Sequence, residues 1–197
     1  MRHYRFGRGK WVFVDWMGIE PGYGTAWGGA ITEEGWCVPQ GIELQVHAPT
    51  VDPAPVLVPD RPWEANYLSP YASFIQEDGI VRCWYENGIP GANFGLAYAE
   101  SADGLTWHKP DLGLVEWKGS RQNNLVKIYP RPLGIGVFQD PVAPPSERYK
   151  MVWCLWTETE RKVLGAVSPD GLKWTALPQP LMEHQHADTQ NIGVYDD

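Results

Sequence analysis

The sequence has no run of about 18 apolar residues, so no membrane-spanning helix is expected. Positive charge is scarce. Sixteen Lys and Arg stand against 24 Asp and Glu, a formal net charge of −8, and there is no Lys/Arg cluster of the kind that nucleic acid requires. Cysteine is also scarce. Cys37, Cys83 and Cys154 lie far apart, which gives no basis for a disulfide framework or a zinc site. Cys83 and Cys154 sit inside apolar runs and read as buried thiols. No Gly-rich phosphate loop leads a strand into a helix, and no nucleophile elbow is present. Arg2, Arg5, Arg8 and Lys10 look like the basic start of a signal peptide. The apolar segment after them, Trp11 to Trp16, is short and already contains Asp15, so none is expected. These absences together predict a soluble chain with no cofactor, no metal, no membrane contact and no obligate protein partner.

What the chain does have is 11 Trp, 21 Gly and 18 Pro in 197 residues. Gly and Pro break the apolar runs too often for long helices and favour an all-β fold of short strands. Residues 1–60 are poorly periodic and read as an irregular lead-in, with short strands at Trp11–Val14 and Val56–Val58. From Trp63 the pattern sharpens. Strands are expected at Tyr71–Ile75, Ile80–Tyr85 and Phe94–Glu100, with a turn at Glu77-Asp78-Gly79. A second set is expected at Gly136–Val142, Tyr149–Trp156 and Val163–Val167, with a turn at Pro144–Arg148.

The two sets share a repeat. Ser101, Asp103, Gly104, Leu105 and Trp107 recur 67 residues later as Ser168, Asp170, Gly171, Leu172 and Trp174, and Asn124 recurs at the same offset as Asn191. A repeat of this length carrying four short strands predicts a β-propeller of four-stranded antiparallel blades. In the turn, Gly tolerates positive φ and Asp bonds nearby backbone amides, while the Trp fills the wedge between blades. Asp103 and Asp170 therefore read as structural. Blades are expected at about 64–120 and 121–187, with a third beginning at 188, so that 61–197 forms a partial propeller. The chain reads as the N-terminal part of a longer protein.

The first strand of each blade lines the channel of a propeller. Residues where a blade begins therefore converge on the axis. Here those places carry Trp63-Glu64, Arg121-Gln-Asn123-Asn124 and His186-Ala-Asp188-Thr-Gln190-Asn191. Carboxylates and amides suit sugar hydroxyls, and Trp faces suit the apolar side of a pyranose. Glu64, Asp140 and Asp188 are the candidate catalytic carboxylates. Trp63, Arg121, Asn123, Asn124, His186, Gln190 and Asn191 are the candidate sugar contacts. Asp140 in Phe138-Gln-Asp-Pro141 aligns with Ser73 at the 67-residue offset, so its charge lies outside the repeat.

These features resemble the five-bladed β-propeller glycoside hydrolases, the broad group of families 32, 43 and 68 and their relatives. The resemblance covers about 55–197 and is carried by the Asn/Asp-rich blade starts, Phe138-Gln-Asp-Pro141 with Glu147-Arg-Tyr-Lys-Met151, and the two Ser-x-Asp-Gly-x-x-Trp turns. It implies five blades when complete and hydrolysis of glycosidic bonds in an oligo- or polysaccharide by channel carboxylates. Asp140 matches the family's transition-state-stabilising Asp, with Gln139 in place of the usual Arg. Glu64 stands where the family places its base or nucleophile, more often an Asp. The acid Glu comes from a later blade, beyond Asp197. The alternative is a noncatalytic carbohydrate-binding or scaffold propeller. The turns also resemble the Asp box of sialidases, but they are one residue shorter and no arginine triad accompanies them.

Overall fold

A computed structural model describes residues 48, 50–89, 92–129, 133–157, 159–184, 187 and 189–196. The chain divides into two units at Val51/Asp52, and the strands described here all lie in Asp52–Asp197. They form two antiparallel sheets. The first runs in order through β1 (Leu68–Glu77), β2 (Ile80–Ile89), β3 (Ala92–Ser101) and β4 (Leu125–Val126). The second runs through β5 (Leu133–Gln139), β6 (Tyr149–Trp156), β7 (Arg161–Ser168) and β8 (Thr175–Ala176). A further short strand, β9 (Met182–Glu183), also pairs with β7. No helix among the described residues is long and apolar enough to cross a membrane.

Alternation along the strands builds two cores. Trp84 and Glu86 on β2, with Leu96 and Tyr98 on β3, face the second sheet. Cys83, Tyr85, Ala97 and Ala99 face the other way. The inter-sheet core joins Trp84, Leu96, Tyr98 and Val126 to Ile135, Val137, Tyr149, Met151 and Trp153. The opposite face of the first sheet is covered by Leu57, Trp63, Trp107, Val115 and Trp117. Cys83 and Cys154 are both buried, and burial pushes the Cys83 thiol up to about 12.

The turns match their chemistry. Asp78 and Gly79 both take positive φ, 51° and 77°, as a tight two-residue hairpin requires. The two Ser-x-Asp-Gly turns share one bonding scheme. Ser101 Oγ and Ser168 Oγ each donate to the following Asp, at 2.9 and 3.0 Å, and each accepts the Gly amide at 2.9 Å. Asp103 Oδ1 accepts the amides of Leu105 and Thr106, and Asp170 Oδ1 those of Leu172 and Lys173. The Thr106 and Leu105 amides and the Ser101 hydroxyl hold the Asp103 carboxyl down at about 2. Burial pushes Asp170 up, yet the amides of Lys173 and Leu172 and the Ser168 hydroxyl keep it below its ordinary value.

Three expectations are corrected. Val56–Val58 forms no strand; Leu57 packs on the first sheet from an irregular segment, and Val58 O accepts from Lys109. The strand expected at Gly136–Val142 runs Leu133–Gln139 instead. Pro141 has no N–H, and Asp140 Oδ1 caps the amides of Val142 and Ala143, which turns the chain away. Arg121–Asn124 does not open the second sheet. It leads into β4, the last strand of the first, and the second sheet begins at Leu133.

Pairing also revises the internal alignment. Tyr149 pairs with Ser168 as Val81 pairs with Ser101, and Gln139 pairs with Tyr149 as Gln76 pairs with Val81. Asp140 is therefore the counterpart of Glu77, not of Ser73. A two-residue turn joins β1 to β2, whereas residues 140–148 join β5 to β6, so no single offset spans the repeat.

Candidate functional site

Glu64 is fully buried. Lys109 Nζ lies 2.8 and 2.9 Å from its two oxygens, the Tyr85 hydroxyl donates to Oε1 at 2.7 Å, and the Arg61 amide donates to Oε2 at 2.9 Å. Lys109 also reaches Val58 O and Asp60 Oδ1, and its hydrogen bond holds the Asp60 carboxyl below the ordinary range. Burial and the Glu64 carboxylate together push the Tyr85 hydroxyl far up. Asn124 completes the set. Its Oδ1 accepts from Trp63 Nε1 at 2.8 Å, and its Nδ2 donates to Tyr85 Oη and Tyr98 O. Trp63, Glu64 and Asn124 thus meet, as a closed network that pins the 60–67 segment to the first sheet. Every oxygen of Glu64 already has a partner.

The other candidates separate. Asn123 is buried and bonds Val115 O and the Leu125 amide, which shapes the approach to β4. Arg121 is exposed and donates to Gly113 O at 3.3 Å. Asp188 and His186 lie outside the described residues. Gln190 Nε2 bridges Ala72 O on β1 and Ile135 O on β5, at 3.0 and 2.9 Å. Asn191 donates to Gly134 O through both its backbone amide and its side chain, at 2.8 and 3.0 Å. These two residues seat the 189–195 segment against the free edge of β5. Glycine makes that approach possible, because a Cβ on Gly134 or Gly136 would stand 1.9 Å from the carbonyl oxygen of Thr189 or Asn191.

Asp140 occupies a different setting. It lines a cleft of about 700 Å³ with Phe138, Gln139, Arg148 and Tyr195. Asp140 Oδ1 serves the turn, while Oδ2 stands 3.7 Å from Lys150 Nζ. Gln139 Nε2, at the same cleft, is buried without a hydrogen-bond partner among the described residues. Tyr195 is 39 % exposed, and Gly193 lets the backbone before it lie flat on the Phe138 ring. The cleft therefore combines a carboxylate, the Arg148 guanidinium that also pairs with Glu77, an unpaired amide and two aromatic rings. No other carboxylate lines it among the described residues.

Part of the chain is similar to solved structures that include a glycosyl hydrolase and a deacetylase. A glycosyl hydrolase from Bacteroides ovatus is 18 % identical over 58 % of this chain and 32 % of its own, with a TM-score of 0.41. An N-acetylgalactosamine deacetylase from F. plautii, solved with blood group B trisaccharide, is 17 % identical over 57 % of this chain and 30 % of its own, with a TM-score of 0.39. The chain thus spans about a third of the length of these structures. No family model and no curated protein matches it.

Sequence reasoning missed Glu86. This carboxylate lies fully buried between the sheets, where Oε1 accepts the Ile135 amide at 2.9 Å. The Gly134 amide and the Ser69 hydroxyl stand nearby, but Oε2 has no hydrogen-bond partner among the described residues. Burial pushes this carboxyl up to about 7. Its only sequence signal was a Glu on the inward alternation of an apolar strand, in phase with Trp84. Among the described residues no group of His, Cys, Asp and Glu could hold a metal ion.

Proposed function

We propose that the chain is a carbohydrate-binding unit of the glycoside-hydrolase kind, and that it contacts sugar at the Asp140 cleft. One observation carries this reading: a carboxylate, Arg148 and the unpaired Gln139 amide share one cleft with the rings of Phe138 and Tyr195. Carboxylate and guanidinium serve hydroxyls, and aromatic faces serve the C–H side of a pyranose. In the fuller reading the two sheets are successive blades of a propeller, with β1, β5 and the 189–195 segment as neighbouring inner strands. The bridge that Gln190 makes between β1 and β5 supports that reading.

Hydrolysis is the second reading. It needs a second carboxyl group about 5–9.5 Å from Asp140. Glu64 is committed to Lys109. No other carboxylate lines the Asp140 cleft among the described residues. Binding is therefore the better supported of the two, and turnover belongs to a fuller site.

Calorimetric titration with neutral and acidic oligosaccharides, together with a reducing-sugar assay, tests both. Asn at position 140 retains the Oδ1 acceptor of the turn. Asp140→Asn is expected to keep the melting temperature while weakening saccharide binding about tenfold, the weight of one charge-assisted hydrogen bond. Unchanged affinity in this variant, or no saccharide binding by the native chain, would overturn the assignment. Sugar release that Asp140→Asn abolishes would establish the second reading.

A further inference from the structure

The two Ser-x-Asp-Gly turns share their bonds but differ at one indole. In the first turn Trp107 Nε1 donates to Gly104 O at 3.2 Å. In the second, the matching carbonyl, Gly171 O, accepts from Trp84 of the neighbouring sheet at 2.6 Å. Trp174 Nε1 is left buried and without a hydrogen-bond partner among the described residues. A buried donor without an acceptor is unfavourable and calls for a reason.

Trp174 lines a groove of about 390 Å³ formed where the two sheets meet. Leu114 and Ile128 supply apolar surface, Tyr129 a second aromatic ring that is 83 % exposed, and Lys127 and Lys173 two positive charges. Neither lysine makes an ion pair among the described residues. The Lys173 charge contributes to holding Asp170 ionised, but Asp170 Oδ1 is occupied by the turn amides and the Ser168 hydroxyl. On a chain of net charge −8, two unpaired cations beside two aromatic rings and an orphaned N–H form a distinct chemical pattern. They ask for an anion joined to a ring with an apolar face and acceptor oxygens.

We propose that this groove binds a uronate residue of an acidic glycan. Lys127 and Lys173 hold its carboxylate, Trp174 Nε1 donates to a ring or hydroxyl oxygen, and Tyr129 and Trp174 cover its C–H face. The volume lies within the range of small-ligand pockets. The groove shares no residue with the Asp140 cleft. The choice of ligand class rests on the carbohydrate reading above.

The test is titration calorimetry of the full chain with a trigalacturonate, the matching neutral galactose trimer, and sodium sulfate at constant ionic strength. Indole N–H resonances are followed alongside, with the Trp174 signal assigned by its loss in Trp174→Phe. The trigalacturonate is expected to bind at least about tenfold tighter than the neutral trimer and to shift the Trp174 resonance. Lys127→Gln and Lys173→Gln, both at exposed positions, are each expected to weaken it about fivefold, and Trp174→Phe by a similar factor. Unchanged affinity in both lysine variants, or equal binding of the two trimers, overturns the proposal. So does a response to sulfate that trigalacturonate does not exceed. Binding lost in Asp140→Asn but intact in the lysine variants overturns the groove and leaves the Asp140 reading standing. Trigalacturonate binding lost in the lysine variants, with Asp140→Asn without effect on any saccharide, supports the groove and overturns the Asp140 reading. Binding of no saccharide overturns both.

Discussion

Trp84 Nε1 donates to the carbonyl of Gly171 across the two sheets at 2.6 Å, and the Trp84 ring leaves no room for a side chain there. A Cβ on Gly171 would stand 2.6 Å from Trp84 Cζ2 and 3.3 Å from the Tyr149 ring, whereas one on Gly104 would meet nothing within 4 Å. Both glycines have φ of +74°. The two substitutions to Ala therefore share a backbone penalty of about 1 kcal/mol, and only Gly171→Ala adds a packing clash of about 1–3 kcal/mol. Thermal unfolding is expected to show Gly104→Ala lowering Tm by about 2–4 °C and Gly171→Ala by at least twice as much. Equal shifts would mean that the inter-sheet contact is not tight at this turn.

Glu86 makes stability depend on pH. Its folded pKa of about 7 lies above the ordinary 4.5, so the native state holds this proton more tightly than the unfolded chain does. Its contribution is therefore complete below about pH 4.5, declines as pH rises through about 7 and is flat above. The total over that window is about 3 kcal/mol. Glu86→Gln keeps an acceptor for the Ile135 amide and cannot ionise. Urea unfolding at pH 5 and pH 8 is expected to show a loss in the native chain that this variant lacks. Parallel pH profiles for the two would count against a raised pKa at this position.

Glu64→Gln is expected to act on folding. It leaves Lys109 buried against a neutral partner, with only the half-exposed Asp60 as a counter-charge. Breaking a buried pair from one side costs about 3–5 kcal/mol. A double variant, Glu64→Gln with Lys109→Met, is expected to recover part of that loss. A Glu64→Gln protein as stable as the native one would return Glu64 to the list of available carboxylates.

Gly136→Ala places a methyl group where Asn191 O now sits. The 189–195 segment is expected to lift from β5, with faster hydrogen exchange at Asn191 and easier proteolysis after the second sheet. Amides of β6 and β7 should keep their protection. Unchanged exchange at Asn191 would show that the segment is not held by this contact.

Much of the fold was legible in the sequence because it is governed by local rules. Alternation exposed β2, β3, β6 and β7, and Ser, Asp and Gly at fixed spacing announced both turns. Long-range facts were not legible. The fourth strand of the first sheet is two residues long, Leu125–Val126, too short for any period, and it was read as the approach to the second sheet. Glu64 follows Trp63 where a channel carboxylate was expected, but its partner Lys109 is 45 residues away, and no spacing rule joins them. Asp140 was found because Pro141 and the broken repeat marked it. Its equivalence to Glu77 emerged only from strand pairing. Glu77 accepts from Arg148 and Tyr149, so Arg148, at the end of the expected Pro144–Arg148 turn, also joins the two sheets.

The turns also set an order of assembly. Each Ser-x-Asp-Gly turn satisfies its amides within six residues, and each hairpin pairs strands adjacent in the chain. Contacts of that kind close quickly, because the loops they form are short. Trp84 and Gly171 are 87 residues apart, and Gln190 lies 118 from Ala72. The two meanders are therefore expected to form as separate local units. The seam between them is expected to close last, on a carbonyl that the second turn holds in place.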